Sequence, residues 1–400
     1  MVQSFEAAQQ LILEHVTPLS VEKIPLTELA GRTLAEDLCA PVDLPRWDNS
    51  EMDGFAVQAA DCHPLAQLKV IGYVPAGATA EGVTVKPGTA VRIMTGAPIP
   101  TGCNAIVPIE NTDGGRETVT IQQAVQTGDF IRFRGSDIAT GETILTAGTL
   151  LRPAEVNLLA AFSLTEIAVI RQPTVAILST GDELIPPGET PAAGQIIDSN
   201  SHSLAAAVRE IGAIPQILGI AHDNRESLSK KIAAGLNADV LITSAGVSAG
   251  DRDLVREILE EAGIQQLFWK VAIKPGGPTA FGLNGGKPVF SVPGNPVSSM
   301  IAFEQLIRPA LLKMMGKKDV FRPLERAAVK GPLRNETNKT RFLRVRVEKT
   351  PTGLVAESAG DQNTGILSTM IRANAIAILA PEQNELVTGD DVDIQLLNPL

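Results

Sequence analysis

The segment DVLITSAGVSAGDRD, residues 239–253, determines the fold that the sequence predicts. Its run Val240–Thr243 is apolar and mostly β-branched, which is typical of a strand buried on both faces of a sheet. Small residues follow at 244–250, and then a helix is predicted over Leu254–Glu261. Such a loop before a helix N-terminus can bind phosphate through backbone N–H groups, but it is also the form of an ordinary βα turn. The segment alone does not distinguish the two.

The neighbouring segments repeat the same alternation of strand and helix. Strands are predicted at Thr174–Ser179, Pro215–Ile220, Gln266–Ile273, Thr279–Phe281 and Pro288–Val292, and helices at Ser203–Ile211, Glu226–Leu236 and Pro296–Met315. Alternating βα units favour a mainly parallel sheet with helices on both faces. The sequence therefore predicts a three-layer α/β domain over residues 173–320.

Three further regions surround the predicted α/β domain in this chain of 400 residues. Residues 47–147 are rich in glycine and short apolar runs, which indicates an inserted β domain. Residues 1–46 and 148–172 predict a split helical and extended segment, with a first helix over Phe5–Val16 capped by Ser4. Residues 321–400 alternate in hydropathy and predict a C-terminal β-barrel. Because the split segment has small cores, we expect it to form a dimer interface.

Composition excludes several classes of protein. The formal net charge of -11 argues against a general nucleic-acid binder. No apolar run is long enough to cross a membrane, and the first residues lack the pattern of a signal peptide, so we expect a cytoplasmic protein without a membrane partner. Cys39, Cys62 and Cys103 form no CxxC pair, and the four histidines show no zinc-site spacing.

Candidate ligand-binding residues follow the predicted strands. Ligands of open α/β sheets bind outside the carboxyl ends of the strands. The residues at those ends are Ser179-Thr180-Gly181-Asp182-Glu183, His222-Asp223-Asn224, Ser244 to Asp253, Lys274-Pro275-Gly276-Gly277 and Pro293-Gly294-Asn295-Pro296. Carboxylates, free amides and a lysine at one edge favour an anionic ligand, such as a metal-bound phosphate.

An ordered set of motifs points to a family. The set comprises SEMDGFAV (50–57), MTGAPIP (94–100), RGSDI (134–138), STGDEL (179–184), SAGVSAGD (244–251), KPGGPTAFG (274–282) and SVPGNPVSS (291–299). Over essentially the whole chain it resembles the molybdopterin molybdenumtransferases, the MoeA family, which is related to the E domain of gephyrin. One departure is Ala245, where the family loop usually carries glycine.

The resemblance implies both an architecture and a reaction. It implies a homodimer of four-domain protomers, whose third domain is similar in fold to molybdopterin adenylyltransferase, the expected upstream partner. Its active-site cleft is expected between the third domain of one protomer and the second domain of the other. Molybdate is expected to be inserted into adenylylated molybdopterin with release of AMP, together with a divalent cation, usually Mg²⁺.

Residue roles follow from the motifs and from the chemistry. The catalytic candidates are Asp53, Asp137, Lys274 and Lys270, and the metal candidates are Glu183 and Asp223. Lys274 carries a positive charge suited to an oxyanion, whereas Lys270 is equally well interpreted as a solvated strand lysine. Asp182 is expected to order its turn through an Asx hydrogen bond.

The substrate-binding candidates are hydroxyl, amide and cationic groups of the same motifs and of the last domain. They are Thr95, Arg132 (or Arg134), Ser179, Thr180, Gly181, Ser244, Gly246, Ser248, Gly250, Asp251, Pro293, Gly294, Asn295, Pro296, Arg344 and Ser368. Asp251 and Asp253 both lie near the predicted start of a helix, where the helix dipole alone is enough to favour an acidic residue. We assign Asp251 to the ligand and Asp253 to the helix cap.

Two alternative functions remain open. A scaffold or anchoring protein of the gephyrin type would use the same architecture, but it would have no need of Lys274, Glu183 and Asp53 together. A molybdopterin adenylyltransferase would resemble the α/β domain alone, without the surrounding β domains.

Overall fold

A computed structural model of the chain describes residues 2–245, 252–398 and 400. The chain forms two compact units. The first comprises Met1–Ala35, Gly148–Pro153 and Glu166–Leu400, and the second comprises Glu36–Ala147 and Ala154–Thr165. This division is coarser than the four predicted domains, whose boundaries stay a prediction. No helix among the described residues is both long and apolar enough to span a membrane.

The α/β domain of the first unit contains a six-stranded sheet. In spatial order its strands are Ile214–Ala221, Thr174–Thr180, Val240–Ser244, Lys287–Val292, Ala280–Asn284 and Gln265–Phe268. The first four strands are parallel, and the last two are antiparallel. The predicted parallel sheet is confirmed, and its antiparallel edge is an addition. The edge arises because Gly285 and Gly286, both with positive φ, close a two-residue hairpin turn.

Helices cover both faces of this sheet. They are Asn200–Glu210, Arg225–Gly235, Arg252–Glu261 and a run from Pro296–Ala302 through the π-helical Phe303–Ile307 to Arg308–Met314. Within the central strand, Val240 and Ile242 contribute to one apolar core while Leu241 contributes to the other. This alternation confirms the predicted three-layer arrangement.

The N-terminal helix of the first unit spans Phe5–Glu14. The hydroxyl of Ser4 accepts a hydrogen bond from the amide of Ala7 at 3.1 Å, as predicted for an N-cap. Ala8 and Ile12 are buried in the same core as Val240 and Ile242. A second helix of the residues 148–172 spans Pro153–Ala161.

The C-terminal strands close into a five-stranded barrel, as predicted. The strands Glu325–Lys330, Asp391–Leu396, Ala375–Leu379, Thr340–Thr350 and Gly353–Ser358 pair in that order, and the last pairs again with the first. The interior is filled by small and β-branched side chains together with leucines that include Leu343 and Leu379. The short strand Ile273–Lys274 joins this sheet by pairing with Thr340 and Arg341.

The second unit is built on a five-stranded sheet, in agreement with the predicted β domain. Its strands, in spatial order, are Ala105–Pro108, Gly54–Val57, Thr89–Ile93, Gln67–Val74 and Thr118–Thr120. Two apolar cores lie on its faces, one containing Phe55 and the other Ala56. All three cysteines are free thiols, and burial raises the pKa of Cys62 to about 11.

Candidate functional site

Three strand ends of the α/β sheet converge on one cavity of about 250 Å³. Its lining includes four predicted site residues, namely Glu183, Ser244, Gly294 and Pro296. Glu183 follows the strand Thr174–Thr180, Ser244 ends the strand Val240–Ser244, and Gly294 follows the strand Lys287–Val292. The cavity therefore lies where an open parallel sheet places its ligands.

Asn200, which the sequence analysis missed, connects two of these strand ends. The residue is 7% exposed, and its Nδ2 donates hydrogen bonds of 2.8 Å to Ser244 Oγ and 2.8 Å to the carbonyl of Gly294. Because a carbonyl only accepts, this network fixes the orientation of the amide. The Oδ1 of Asn200 is buried and has no partner among the described residues, which leaves an acceptor beside the cavity.

Asp198 stabilises the same corner from within the protein. Its carboxylate accepts hydrogen bonds from Ser179 Oγ at 2.9 Å, from the amide of Ser201 at 3.1 Å and from Ser201 Oγ at 2.6 Å. The polar run DSNS at 198–201 was a usable signal. It was missed because it follows Ile196–Ile197, a two-residue strand outside the main sheet.

Ser179, Thr180 and Gly181 differ from the prediction of direct ligand contacts. Ser179 and Thr180 are buried, and the Thr180 hydroxyl points to the carbonyl of Ser244 at 3.5 Å. The amide of Gly181 donates to the carbonyl of Ala221. Gly181 has a φ of +142°, and a Cβ built there would lie 2.3 Å from Glu183 Oε2. These residues therefore shape the strand end and make room for the Glu183 carboxylate.

Asp182 and Asp223 join two strand-end loops. Asp182 Oδ1 accepts from the amide of Asp223 at 3.2 Å and lies 3.1 Å from His222 Nδ1. In return, Asp223 Oδ2 accepts from the amide of Asp182 at 3.3 Å. Asp182 thus joins its turn to a neighbouring loop, whereas the prediction was an Asx hydrogen bond within its own turn. The bonds hold Asp223 close to the loop that carries Glu183.

The loop that follows the strand Lys287–Val292 leads directly into a helix. Asn295 caps the helix Pro296–Ala302 by accepting from the amide of Ser298 at 3.3 Å, and Pro296 occupies its first position. Pro293 precedes Gly294 in this loop. The side chain of Asn295 is therefore committed to the helix.

Lys274 and Lys270 are exposed, but their predicted place at the edge of the α/β sheet is wrong. Lys274 lies in a strand of the barrel sheet, opposite Arg341. Lys270 lies in the separate strand Lys270–Val271, which pairs with Val2 and Gln3. Because the predicted strand 266–273 is broken into three short strands, the common phase assumed for the two lysines does not exist.

The barrel candidates Arg344 and Ser368 have protein partners. Arg344 is 1% exposed, and its Nη2 donates to the carbonyls of Asp361 and Asn363, each at 3.2 Å. Burial lowers its pKa. The guanidinium of Arg344 is enclosed by its own loop in this structure, and its contact with a ligand stays a prediction. The exposed Ser368 accepts from Arg372 Nη2 at 3.1 Å.

Asp53 and Thr95 form a polar pair in the second unit. The amide and the hydroxyl of Thr95 both donate to Asp53 Oδ1, each at 2.7 Å. The amide bond, and then the hydroxyl bond, lower the pKa of Asp53 and keep it ionised. Gly54 is required beside it, because a Cβ there would lie 2.1 Å from the carbonyl oxygen of Val107. Thr95 therefore positions Asp53.

The remaining candidates of the second unit lie on exposed loops. Arg132 is 3.6 Å from Glu51, and both side chains are exposed. Arg134 binds Asp43 at 2.5 Å, so the structure favours Arg132 as the more available cation. Asp137 has an exposed side chain, and its amide donates to the carbonyl of Leu44.

The predicted loop residues Gly246, Ser248, Gly250 and Asp251 lie outside the described residues, as does the side chain of Asp253. Ala245, which precedes this loop, is the last described residue before the gap. It has a φ of +76°, in the left-handed region that favours glycine.

Comparison with known proteins identifies the family. The models of the MoeA N-terminal region (domains I and II), of a probable molybdopterin binding domain and of the MoeA C-terminal region (domain IV) match residues 3–163, 176–313 and 326–397. The chain is 37% identical to molybdopterin molybdenumtransferase 2 of Mycobacterium tuberculosis, covering 98% of this chain and 99% of that one. The chain belongs to the MoeA family.

Other relatives agree with this assignment. The molybdopterin molybdenumtransferase of Haemophilus influenzae is 35% identical, with 99% of each chain covered. The structure also resembles the crystal structure of the molybdopterin biosynthesis MoeA protein from Pyrococcus horikoshii OT3, with a TM-score of 0.83. The two sequences are 29% identical, and the match covers 99% of this chain and 100% of that one. Ala245 has a positive φ, which is the backbone conformation that glycine adopts most readily. Glycine is also the residue that the family resemblance led us to expect at this position.

Proposed function

We propose that this MoeA family member is a molybdopterin molybdenumtransferase, which inserts molybdate into adenylylated molybdopterin and releases AMP. Its support is the similarity, over nearly the whole chain, to relatives that carry this name. The observation that carries the proposal is the convergence of three strand ends on one cavity with a carboxylate, a hydroxyl and a free amide acceptor. The amide acceptor suits a ligand that carries N–H or O–H donors, and the carboxylate suits phosphate oxygens when a cation lies between them.

The charged residues are proposed to act on molybdate and on the phosphate groups of the substrate. Lys274 and Lys270 are exposed ammonium groups, and each can place a point charge against molybdate or phosphate oxygens. Asp53, held ionised by Thr95, and Asp137 are proposed as the catalytic acids of the other unit. Arg132, Ser244 and Ser368 are proposed substrate contacts, with the loop residues that follow Ala245.

Glu183 and Asp223 are proposed to hold Mg²⁺. Among the described residues no group of three or more His, Cys, Asp or Glu side chains is arranged to bind a metal ion. Two carboxylates nevertheless fit Mg²⁺, which commonly takes one or two carboxylates and completes its shell with water and substrate phosphate oxygens. When bound, the ion would neutralise charge on the phosphate groups. Glu183 and Asp223 would then orient the nucleotide end of the substrate.

We also propose a cytoplasmic homodimer that receives its substrate from a molybdopterin adenylyltransferase. The support is the family resemblance and the small cores of the split N-terminal segment. Sedimentation equilibrium at micromolar concentration tests the dimer, and a monomer of 42.2 kDa would contradict it.

The activity itself is tested with the purified chain, adenylylated molybdopterin, Mg²⁺ and molybdate. We expect AMP to be released in proportion to molybdate incorporated, and we expect little release without molybdate. A scaffold protein would release no AMP, and an adenylyltransferase would instead form the adenylylated substrate from ATP and molybdopterin. Either of these outcomes would overturn the proposal.

A further inference from the structure

Trp47 is an exposed aromatic side chain in the second unit. In a chain with only 4% aromatic residues, it is 51% exposed. The other tryptophan, Trp269, packs against an apolar core, and the guanidinium of Arg256 lies 5.3 Å from its ring centroid. An aromatic ring stabilises a fold mainly through the surface that it buries. The exposed surface of Trp47 contributes nothing of this kind, which leaves it available to a ligand.

Hydrogen bonds hold the backbone around Trp47 in place. The carboxylate of Asp48 accepts from the amide of Arg134 at 2.7 Å, and the carbonyl of Asp48 accepts from the amide of Ile99 at 3.0 Å. The side chain of Asn49 donates to the carbonyl of Trp47 itself at 3.1 Å. Because this backbone is already ordered, a ligand that stacks on the ring costs little further conformational entropy.

Strand pairing places Trp47 among the candidate residues of the second unit. Asn49, two residues after Trp47, is the antiparallel partner of Arg132. On its other side Asn49 forms an antiparallel bridge with Pro98. Parts of three motif-bearing segments therefore form one narrow ribbon, and Trp47 lies at its edge.

Arg132 supplies a cation on this ribbon. Its side chain is 52% exposed, and its Nε lies 3.6 Å from Glu51 Oε1, which is too long for a hydrogen bond. Exposed ion pairs of this kind contribute little free energy. An anionic ligand can therefore take the place of Glu51 beside Arg132 at small cost.

The neighbours of Trp47 indicate the class of its ligand. Planar heterocycles stack on aromatic side chains through their π faces, whatever substituents they carry. A protein partner is a poorer match, because charged residues are depleted at the cores of protein interfaces. Here Arg46 and Asp48 flank the ring in sequence, and Arg132 and Arg134 lie on the adjoining segment. A ring with cations beside it suits a planar heterocycle that carries an anionic group.

We propose that Trp47 is a specificity-determining residue of the substrate site. Its indole stacks on a planar nitrogen heterocycle, and Arg132 binds the anionic group that the heterocycle carries. This assignment rests on the proposed function, whose substrate contains two such rings, the pterin of molybdopterin and the adenine of the adenylyl group. Both rings offer the same flat π face.

The test is a calorimetric titration of the full-length protein with AMP and, separately, with pterin-6-carboxylate, each at constant ionic strength. Trp47→Ala removes the ring and should weaken binding of at least one probe roughly tenfold. Trp47→Phe keeps an aromatic face and should bind within about threefold of wild type. The control Phe321→Ala removes a ring that is 46% exposed in the first unit, and it should bind as wild type does.

The two probes distinguish the two rings of the substrate. Weakening for AMP alone assigns Trp47 to the adenine, and weakening for pterin-6-carboxylate alone assigns it to the pterin. Weakening for both assigns Trp47 to planar rings in general. In the AMP-release assay, Trp47→Ala should raise the KM for adenylylated molybdopterin about tenfold and change kcat less, because stacking is lost from the bound substrate and the transition state alike.

Thermal unfolding and sedimentation separate ligand binding from a structural role. Because the ring is already half exposed, the Tm of Trp47→Ala should stay close to that of Phe321→Ala. The proposal is overturned if wild type binds neither probe or if Trp47→Ala retains the wild-type affinity for both. It is also overturned if Trp47→Ala sediments as a smaller species than wild type, which would assign the ring to a subunit contact. The titrations need no turnover, so a lack of AMP release by wild type would count against the proposed function alone.

Discussion

Asn200 Nδ2 lies 2.8 Å from Ser244 Oγ and links two strand ends of the candidate site, since a second bond of 2.8 Å reaches the carbonyl of Gly294. Both amide hydrogens are used, and the oxygen faces no described partner. One buried side chain thus sets the spacing of the loops that must receive the ligand.

We expect Asn200→Ala to destabilise the protein by about 1–3 kcal/mol, because it leaves a buried hydroxyl and carbonyl without their donor. Urea denaturation measures the change. Asn237→Ala is the control, since Asn237 is exposed and makes a single local bond of 3.2 Å to the carbonyl of Ala234. Equal stability losses in the two variants would contradict the role of Asn200.

Substitutions at Gly181 and at Gly188 together test whether metal binding depends on the position of the Glu183 carboxylate. Both have positive φ, but only at Gly181 would a Cβ collide with the Glu183 carboxylate, at 2.3 Å; at Gly188 nothing lies within 4 Å. Both substitutions to alanine should cost about 1–2 kcal/mol of backbone strain. Only Gly181→Ala should also weaken Mg²⁺ binding and slow AMP release. If the two variants bind Mg²⁺ with the same affinity in a magnesium titration, Glu183 is not a metal ligand.

Asp239 is the first residue of the segment that determines the fold. Its lowered pKa should make the stability of the protein depend on pH. Burial alone would raise its pKa, but hydrogen bonds from Arg171 and Thr174 lower it to about 2. A carboxylate with a depressed pKa stabilises the fold above its unfolded pKa, and this contribution is lost as the pH falls from about 4 towards 2.

We therefore expect Asp239→Asn to cost about 2 kcal/mol at pH 7, a value reduced because Arg171 is partly exposed to solvent. The loss should shrink towards pH 2, where wild-type Asp239 is itself becoming protonated. Denaturant titrations between pH 2 and pH 7 measure it. A cost that does not change with pH would show that the carboxylate charge is unimportant.

Local patterns predicted much of this fold. The buried run at 240–243, the Ser4 cap and the C-terminal β-barrel each reflect patterns among neighbouring residues in the sequence, and each was found. The antiparallel sheet edge was missed although Gly285-Gly286 is a hairpin signal, because the short strands were assigned to βα units.

The site was less predictable because its parts depend on distant pairing. Lys274 follows a strand-like run, yet its backbone pairs with Arg341 in another domain, which no local pattern reveals. Arg344 was chosen for its charge, but the loop at 361–363 encloses it. Asn200 was overlooked because its function depends on the loops it connects.

The most direct test of the proposed function is the rate of molybdate-dependent AMP release by Lys274→Ala. If Lys274 supplies charge to the transferred oxyanion, we expect a loss of about 100-fold or more relative to wild type. The control Lys349→Ala removes an exposed lysine from the far end of the strand that contains Arg341, and it should act as wild type does. A normally folded Lys274→Ala protein with the wild-type rate would contradict the proposed site.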